Sequence, residues 1–278
     1  MVVTAIWGST FVVVKGALAD ASPLPFLALR FLLAGLLLLA ILGRGQVERR
    51  AIPPGAILGF FLFAGYLFQT WGLVYTTPSK SAFLTGFSVI LVPLIMMLSG
   101  VRMGAGSLLG GVLGLLGIYL LVAPSGMATV NRGDLLTLVG ALSFAVHIVL
   151  VGHYTKRFSF QHLVPPQISV VGLLALVALP MTPYQYLHLT GRLVVAILVT
   201  AVLATGVAFS VQNWAQQYTP AAHTALIFAL EPVFAGLSSW LVTGEHFGGK
   251  ALLGSGLILA GMVLSETWGG SRPSPVEG

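Results

Sequence analysis

The sequence predicts an all-α integral membrane protein, with ten transmembrane helices in two inverted five-helix repeats around a central cavity. Three observations predict it: the composition, the lengths of the apolar runs and an internal repeat. Of the 278 residues, 57% are apolar and only 7% are charged, whereas about 25% of the residues of a soluble domain are charged. So few charges cannot cover a surface that faces water, which excludes a soluble enzyme, a nucleic-acid-binding protein and a disordered chain.

Ten apolar segments are each about as long as the core of a bilayer requires, roughly 20 residues for a helix. Glycine, proline or charged residues mark nearly all of the short connections between them. The predicted spans are about 2–18, 24–43, 53–75, 80–99, 104–123, 134–153, 162–180, 192–217, 221–243 and 248–267.

Positive charge is distributed unevenly over the two sides of this arrangement. Ten spans place both termini on one side, and the Lys and Arg residues on that side outnumber those on the other. The richer side carries Arg44, Arg49, Arg50, Arg102, Lys156, Arg157 and Arg272, and the other carries Lys15, Lys80, Arg132, Arg192 and Lys250. By the positive-inside rule, we expect a multi-pass protein of a bacterial inner membrane with both termini, including a tail at 269–278, in the cytoplasm.

The chain repeats itself at offsets of about 140 residues. The matched positions are Trp7 with Phe144, Thr10 with His147, Gly35 with Gly172, Gln69-Thr70-Trp71 with Gln212-Asn213-Trp214, Gly110 with Gly254 and Gly117 with Gly261. They predict a first repeat at 1–123, a linker at 124–133 and a second repeat at 134–268. Because five spans are an odd number, the second repeat must enter the membrane upside down. Such inverted repeats are typical of secondary transporters, whose substrate site lies between the halves.

Polar side chains recur on one face of matching spans and predict a water-filled cavity. Gln69 and Thr76 share a face of the third span, and Gln212 and Gln216 share the equivalent face of the eighth. A polar group at the centre of a bilayer is costly without a partner or water. Alternatively, the glutamines bond across a helix interface, but their matching positions favour the cavity.

An aromatic and a polar residue share a face in the first and sixth spans. They are Trp7 with Thr10, and Phe144 with His147. Such pairs could hold an amphipathic solute by stacking and hydrogen bonding. These four residues and the four polar ones above are therefore our candidate substrate-binding residues. His147 has an alternative role, as a polar group that packs helices together.

Charged residues and prolines within the spans each have two interpretations. Glu231 could carry protons for coupling, or it could form a structural ion pair with Arg30 or Lys15. The ion pair is favoured, because a lone buried carboxylate is tolerated mainly when it is paired. Pro93 and Pro232, in the fourth and ninth spans, each remove a backbone donor. They could be gating kinks or static bends.

The sequence lacks the usual signals of catalysis and cofactor binding. It has no cysteine, which excludes disulfides and thiolate metal sites. The metalloprotease, serine-hydrolase and nucleotide-binding motifs are absent as well. We therefore expect no catalytic residue, no metal site, no cofactor and no enzymatic activity.

Four runs of residues are distinctive. They are Trp7-Gly8-Ser9-Thr10-Phe11 with Lys15, Arg30-Phe31, Tyr75 to Gly86 with Pro93, and Leu230-Glu231-Pro232-Val233-Phe234 with Gly244-Glu245. They resemble the EamA-type ten-helix members of the drug/metabolite transporter superfamily, over essentially the whole chain. The third run is similar to the branch of aromatic amino-acid exporters (YddG type). The resemblance implies a cavity lined mainly by spans one, three, four, six, eight and nine, and net export.

We therefore expect a secondary transporter that moves small amphipathic metabolites, amino acids first, by alternating access. Its partners would be a small-molecule solute and the lipid bilayer, with no nucleic acid, and the oligomeric state is open. One alternative is a proton-coupled importer or exchanger of metabolites or drugs that uses Glu231. Another, from a different class, is a membrane scaffold or lipid-handling protein that transports nothing.

Overall fold

The structure is a computed structural model that describes residues 1–42, 47–101, 103–122, 131–182, 184–243 and 249–268. These residues are helical throughout, apart from turns and loops, and the β-type pairing among them is an isolated bridge between Ala21 and Leu187. The predicted tail at 269–278 and most of the linker at 124–133 lie outside the described residues.

The helices are numbered here in chain order. They are α1 (Val2–Ala17), α2 (Pro23–Ile41), α3 (Ile52–Tyr75), α4 (Pro78–Thr85), α5 (Ser88–Leu98), α6 (Ala105–Val122), α7 (Arg132–Tyr154), α8 (Phe160–Ala178), α9 (Gly191–Val199), α10 (Ala208–Ala215), α11 (Ala221–Phe228), α12 (Glu231–Thr243) and α13 (Gly249–Trp268). A π-helical segment, Thr200–Val207, joins α9 to α10. Short 3-10 turns, Arg49–Ala51 and Leu179–Met181, precede α3 and follow α8.

Seven helical stretches in the described part of the chain are long and apolar enough to cross a membrane. They are Pro23–Ile41, Arg49–Tyr75, Pro78–Leu98, Arg132–Tyr154, Phe160–Met181, Gly191–Ala215 and Ala221–Ser238. Three shorter apolar helices, Val2–Ala17, Ala105–Leu120 and Leu252–Ser265, occupy the places of the first, fifth and tenth predicted spans. The all-α, multi-pass architecture is confirmed, and ten crossings stay a prediction.

Large apolar side chains cover the outside of the helix bundle. Leu36, Leu252 and Val263, for example, are each more than 60% exposed. Contiguous apolar surface of this kind is rare on soluble monomers, but it matches the hydrocarbon core of a bilayer.

Two of the helical stretches are interrupted near their middle, and neither interruption is at the proline that the sequence singles out. One break, at Gly86-Phe87, separates α4 from α5, and Pro93 lies further on, inside α5. The other, at Ala229-Leu230, separates α11 from α12, and Pro232 is the second residue of α12. A proline is accommodated there because the first N–H groups of a helix have no intrahelical acceptor.

Helices from the two halves of the chain pack against each other in pairs. The most extensive contacts join α6 to α13, α3 to α7 and α8, α2 to α8, and α1 to α12. Close approach depends on glycine at some of these crossings. A Cβ atom on Gly8 would lie 2.6 Å from the carbonyl oxygen of Glu231, which brings α1 against the first turn of α12.

Candidate functional site

A cavity of about 770 Å³, a volume that includes its open mouth, lies between the two halves of the bundle. It is lined by α1, α2, α3, the α4–α5 break, α7, α10 and the α11–α12 break. Its lining residues are Trp7, Thr10, Phe11, Val14, Arg30, Tyr66, Gln69, Thr70, Leu73, Thr85, Gly86, Ser88, Phe144, His147, Ile148, Phe209, Gln212, Phe228 and Glu231.

Most of the residues singled out from the sequence meet at this cavity. Those that line it are Trp7, Thr10, Gln69, Phe144, His147, Gln212, Arg30 and Glu231. Thr76, Gln216, Lys15, Pro93 and Pro232 do not line it. The faces of α1, α3, α7 and α10 that the helical periodicity picked out therefore border this cavity, but the periodicity did not locate its two ends. That these residues bind a substrate stays a prediction.

Aromatic rings form one wall of the cavity. The Trp7 ring centroid lies 5.1 Å from that of Phe209 and 5.0 Å from that of Phe228. Tyr66 lies 5.2 Å from Phe144, edge to face. The Trp7 indole N–H donates to the carbonyl oxygen of Ala204 at 2.8 Å. Ala204 belongs to the π-helical segment, a type of helix found frequently at functional sites.

Amide, hydroxyl and imidazole groups interrupt the aromatic wall. Gln69 Nε2 donates to Thr85 Oγ1 at 2.9 Å, and Thr10 Oγ1 donates to the carbonyl oxygen of Trp7 at 2.8 Å. Within the described part of the chain, two buried atoms of the lining, His147 Nε2 and Gln212 Oε1, have no hydrogen-bond partner. Leaving a buried polar group unpaired costs roughly 1–3 kcal/mol. Both residues line the cavity, so a solute or water could satisfy these atoms.

Two charged side chains line the cavity, and they do not form the ion pair that we expected. Glu231 and Arg30 are 7% and 2% exposed, yet no N···O distance of 4.0 Å or less joins either of them to an opposite charge within the described residues. Arg30 is held instead by the Thr205 hydroxyl and the Tyr66 phenol. The described residues also include no cluster of three His, Asp or Glu side chains that could hold a metal ion.

Lys15 caps a helix rather than pairing with Glu231. Its Nζ atom donates to the carbonyl oxygens of Leu73, Val74 and Thr76 at 2.6, 3.2 and 3.0 Å. The last carbonyls of a helix have no intrahelical donor and carry partial negative charge. Lys15 therefore satisfies the C-terminus of α3, and its ammonium group is directed there instead of towards Glu231.

A polar network lies at one end of the bundle, and Thr76 belongs to it. Thr76 Oγ1 donates to Asp134 Oδ1 at 2.9 Å, and Lys80 Nζ lies 2.6 Å from Asp134 Oδ2. Asp134 also accepts from the backbone N–H of Asn131, which completes a capping box at the start of α7. Thr76 is at the C-terminal end of α3, beyond the cavity, so its side chain joins the two halves.

Gln216 lies at the other end, where it lines a second cavity of about 1620 Å³, a volume that includes its open mouth. Its Oε1 accepts from Gln212 Nε2, and its Nε2 donates to the carbonyl oxygen of Ile148, both at 2.9 Å. Gln212 and Ile148 line the central cavity, whereas Gln216 lines the second one with residues such as Met96 and His223. This pair of hydrogen bonds therefore lies where the two cavities adjoin.

Sequence reasoning missed three aromatic residues of the wall. Tyr66, Phe209 and Phe228 precede Gln69, Gln212 and Glu231 by three residues each. Residues three apart lie on the same face of a helix, so Gln69 and Gln212 could have led to Tyr66 and Phe209. The break at Ala229-Leu230 lies between Phe228 and Glu231, so helical spacing gives no such lead to Phe228.

The fold and the site define a class of protein first, a multi-pass helical membrane protein with a central cavity between its two halves. The EamA-like transporter family matches residues 1–123 and 131–267, and the chain belongs to this family.

Relatives and a solved structure agree with this assignment. An uncharacterized transporter of Archaeoglobus fulgidus is 35% identical over 263 residues, which cover 94% of this chain and 82% of the relative. An Escherichia coli protein named "Probable amino-acid metabolite efflux pump" is 25% identical over 95% of this chain and 92% of its own length. A crystal structure with 19% sequence identity has a TM-score of 0.78 over 94% of this chain and 93% of that chain, which shows a likeness of fold alone. The predicted superfamily is thus confirmed, and the aromatic amino-acid exporter branch stays a prediction.

Proposed function

We propose that this member of the EamA-like family is a secondary transporter that moves small amphipathic metabolites, amino acids above all, by alternating access. The observation that carries this proposal is the central cavity, whose wall takes matching positions from both halves of the chain. Gln69 and Gln212, and Trp7 and Phe144, are such pairs. A carrier that exposes one site to either side in turn needs a site of this kind at the interface of its halves.

The helix contacts support an inverted relation between the halves. A Cβ on Gly110 would lie 2.6 Å from the Gly261 carbonyl oxygen, and one on Gly117 would lie 2.5 Å from that of Gly254. In the internal repeat Gly110 matches Gly254, and Gly117 matches Gly261. Applying the repeat to the Gly110–Gly261 contact therefore gives the Gly254–Gly117 contact. This correspondence fits a two-fold axis between antiparallel α6 and α13. This relation supports our proposal of ten spans with repeats at 1–123 and 134–268.

The lining supports a solute with a small polar head and an apolar or aromatic body. The rings of Trp7, Phe209 and Phe228 can stack on such a body, and the unpaired His147 Nε2 and Gln212 Oε1 can bond to its head. Arg30 is the one Lys or Arg residue of the lining as described, which weighs against solutes that carry several phosphates. The efflux-pump name of two relatives supports amino acids and net export.

The two ends of the bundle supply the gates. In this conformation the Lys80–Asp134 ion pair closes one end, and the Gln212–Gln216 bond separates the cavity from the opening at the other. The breaks before Pro93 and Pro232 are the places where α4–α5 and α11–α12 would bend. The regular helical pattern gives way there to bonds that span three residues, such as Val89 N–H to the Gly86 carbonyl oxygen and Leu230 N–H to that of Ile227.

We propose a bacterial inner-membrane location, which the bacterial relatives support, with both termini in the cytoplasm, which the uneven distribution of Lys and Arg supports. Single cysteines test this orientation cleanly, because the chain has none of its own. Leu189→Cys should react with an impermeant maleimide added to whole cells. Lys156→Cys should react only after permeabilisation. The reverse pattern would contradict the orientation.

Flux into liposomes tests the function itself. Purified protein should take up labelled phenylalanine or leucine faster than empty liposomes do, and the double variant Gln69→Ala, Gln212→Ala should lose most of this uptake. Ser210→Ala is the matched control, because Ser210 lies in the same helix as Gln212 but does not line the cavity. Normal flux and affinity in the double variant would show that the glutamines only pack helices. If wild-type protein moves no amino acid or related metabolite, the scaffold or lipid-handling alternative is favoured.

A second candidate function is proton-coupled import or exchange of metabolites or drugs. Glu231 favours it, because this cavity-lining carboxylate has no ion-pair partner among the residues described. A carboxylate that faces a membrane cavity can bind and release a proton as the cavity changes sides. Glu231→Gln should then abolish the response of uptake to a pH gradient. A variant that responds like the wild type would remove this candidate.

A further inference from the structure

We propose that Arg30 is the carboxylate-binding residue of the cavity, so that a transported amino acid is held by its carboxylate at α2. This inference rests on the proposed function and names the chemical group that the site recognises. It assigns to Arg30 a role other than a structural ion pair or a proton-coupling group.

The guanidinium of Arg30 is fixed in place by the protein. Its Nε donates to Thr205 Oγ1 at 2.9 Å, and its Nη2 donates to the Tyr66 hydroxyl at 3.4 Å. The guanidinium carbon lies 4.6 Å from the centre of the Tyr66 ring and 4.9 Å from that of Phe31. A side chain fixed by two other elements and by the neighbouring ring of its own helix loses little conformational entropy when a ligand binds.

The protein leaves part of this guanidinium unpaired. An arginine has five N–H donors, and two are used by Thr205 and Tyr66, which leaves three. No carboxylate of the described residues lies within 4.0 Å of Arg30. Because Arg30 lines the cavity, an acceptor that enters the cavity can reach these donors.

Unlike Arg30, other basic residues in the described chain have their charge satisfied by carboxylates or several carbonyl oxygens of the protein. Lys15 is satisfied by three carbonyl oxygens of α3, Lys80 by Asp134, and Arg192 by Asp20. An intramembrane charge without its complement is costly. The complement of Arg30 is therefore expected from the solute, and the planar fork of a guanidinium fits the two oxygens of a carboxylate.

The rings around Arg30 indicate which kind of side chain the solute carries beyond its carboxylate. Tyr66 contacts the ring of Phe144 at 5.2 Å and that of Phe209 at 6.2 Å, and Phe209 contacts Trp7. A carboxylate bound to Arg30 would thus place the rest of the solute against these rings. Amino acids with apolar or aromatic side chains fit this arrangement.

The experiment compares a carboxylate with its amide. Wild-type protein in liposomes is offered phenylalanine and phenylalaninamide, at a mildly acidic pH where both amines are charged, and leucine with leucinamide as a second pair. We expect the wild type to prefer the acid by at least about tenfold in apparent affinity, since hydrogen bonds to a charged group contribute that much. Arg30→Gln should abolish this preference, and Arg30→Lys should retain part of it. The acid-to-amide ratio does not depend on how much protein folds.

Two further variants refine the result. Arg192→Gln, which removes a charge that does not line the cavity, should keep the wild-type ratio. Tyr66→Phe should lower the preference for the acid a few-fold, because it frees the guanidinium on one side. The proposal is overturned if Arg30→Gln discriminates acid from amide as the wild type does.

A binding measurement separates this proposal from the proposed function. 3-Phenylpropionate should raise the melting temperature of the detergent-purified wild type more than 3-phenylpropionamide does, and Arg30→Gln should respond equally to both. If the wild type transports none of the four solutes but shows this difference, amino-acid transport is contradicted while the role of Arg30 stands. Equal responses of the wild type to both compounds would overturn that role.

Discussion

Gly110 in α6 and Gly261 in α13 pack backbone against backbone. A Cβ atom on either glycine would lie 2.6 Å from the carbonyl oxygen of the other. The corresponding approach recurs at Gly117, whose Cβ would lie 2.5 Å from the Gly254 carbonyl oxygen. Small residues at helix crossings let backbones approach closely, which favours van der Waals packing in a membrane.

This contact predicts that Gly110→Ala destabilises the protein although alanine is the better helix former. The added methyl group must push α6 away from α13, and overpacking of this kind costs about 1–3 kcal/mol. The melting temperature in detergent measures it. Gly256→Ala in α13 is the control, since nothing lies within 4 Å of a Cβ at that position. Equal melting temperatures for the two variants would contradict the close packing.

The Lys80–Asp134 ion pair predicts strong coupling between α4 and α7. The Asp134 side chain is 3% exposed and that of Lys80 is 14% exposed. Removing one partner of a buried pair leaves the other charge without its counter-charge, which costs up to about 3–5 kcal/mol. We expect Lys80→Met and Asp134→Asn to lower the stability singly.

The double variant Lys80→Met, Asp134→Asn should then cost less than the sum of the single changes. A thermodynamic cycle in detergent measures the coupling, which we expect to be about 1–3 kcal/mol. Additive effects of the two substitutions would mean that the pair contributes nothing to closing this end of the bundle.

The hydrogen bond from Trp7 to Ala204 joins the cavity wall to the π-helical segment, and we expect its loss to affect both stability and flux. Trp7→Phe keeps an aromatic ring but removes the hydrogen bond to Ala204, which should cost about 1 kcal/mol and reduce flux. Trp214→Phe is the matched control, because Trp214 is 51% exposed and contacts Tyr218 outside the cavity. If both variants lose the same stability and flux, the Ala204 contact is unimportant.

Asp20 predicts a pH dependence of stability at the end of the bundle where α1 meets α9. The Arg192 guanidinium donates two hydrogen bonds to Asp20, and the Thr190 hydroxyl donates a third. These donors hold the pKa of Asp20 below its ordinary value. Native Asp20 thus releases its proton at a lower pH than unfolded Asp20 does. Its contribution is complete above the ordinary carboxyl pKa of about 3.9 and is lost as the pH falls through the lowered native value.

We therefore expect Asp20→Asn to melt at a lower temperature than the wild type at neutral pH, and the difference to shrink in acid. Melting curves from neutral to acidic pH measure it. Glu48→Gln, which changes an exposed carboxylate, should not alter the dependence. A constant difference between Asp20→Asn and the wild type would contradict the lowered pKa.

Helical periodicity accounts for the successes and the errors at the site. A face of a helix can be predicted from spacing alone, and Gln69, Gln212, Trp7 and His147 indeed meet at one cavity. Spacing does not show how far along the helix a cavity extends. Thr76, at the C-terminal end of α3, therefore bonds to Asp134 instead of lining the cavity.

The prediction that Glu231 forms an ion pair with Arg30 or Lys15 was wrong for a different reason. Charge balance suggests a partner, but it cannot rank a carboxylate against other acceptors. Lys15 donates to the free carbonyl oxygens at the end of α3. Arg30 donates to Thr205, a residue of the π-helical segment. Neither acceptor is visible as a charge in the sequence.

The amino-acid sequence alone determines that this protein lies in a lipid bilayer and that its chain is helical. Long apolar runs with few charges can satisfy their backbone hydrogen bonds in a bilayer only as helices or closed barrels, and runs of about 20 residues favour helices. The packing of the helices, by contrast, settles which polar groups satisfy one another and which are left facing the cavity. That outcome depends on the distances between helices far apart in the chain, as between Arg30 and Thr205, and no local pattern of residues encodes those distances.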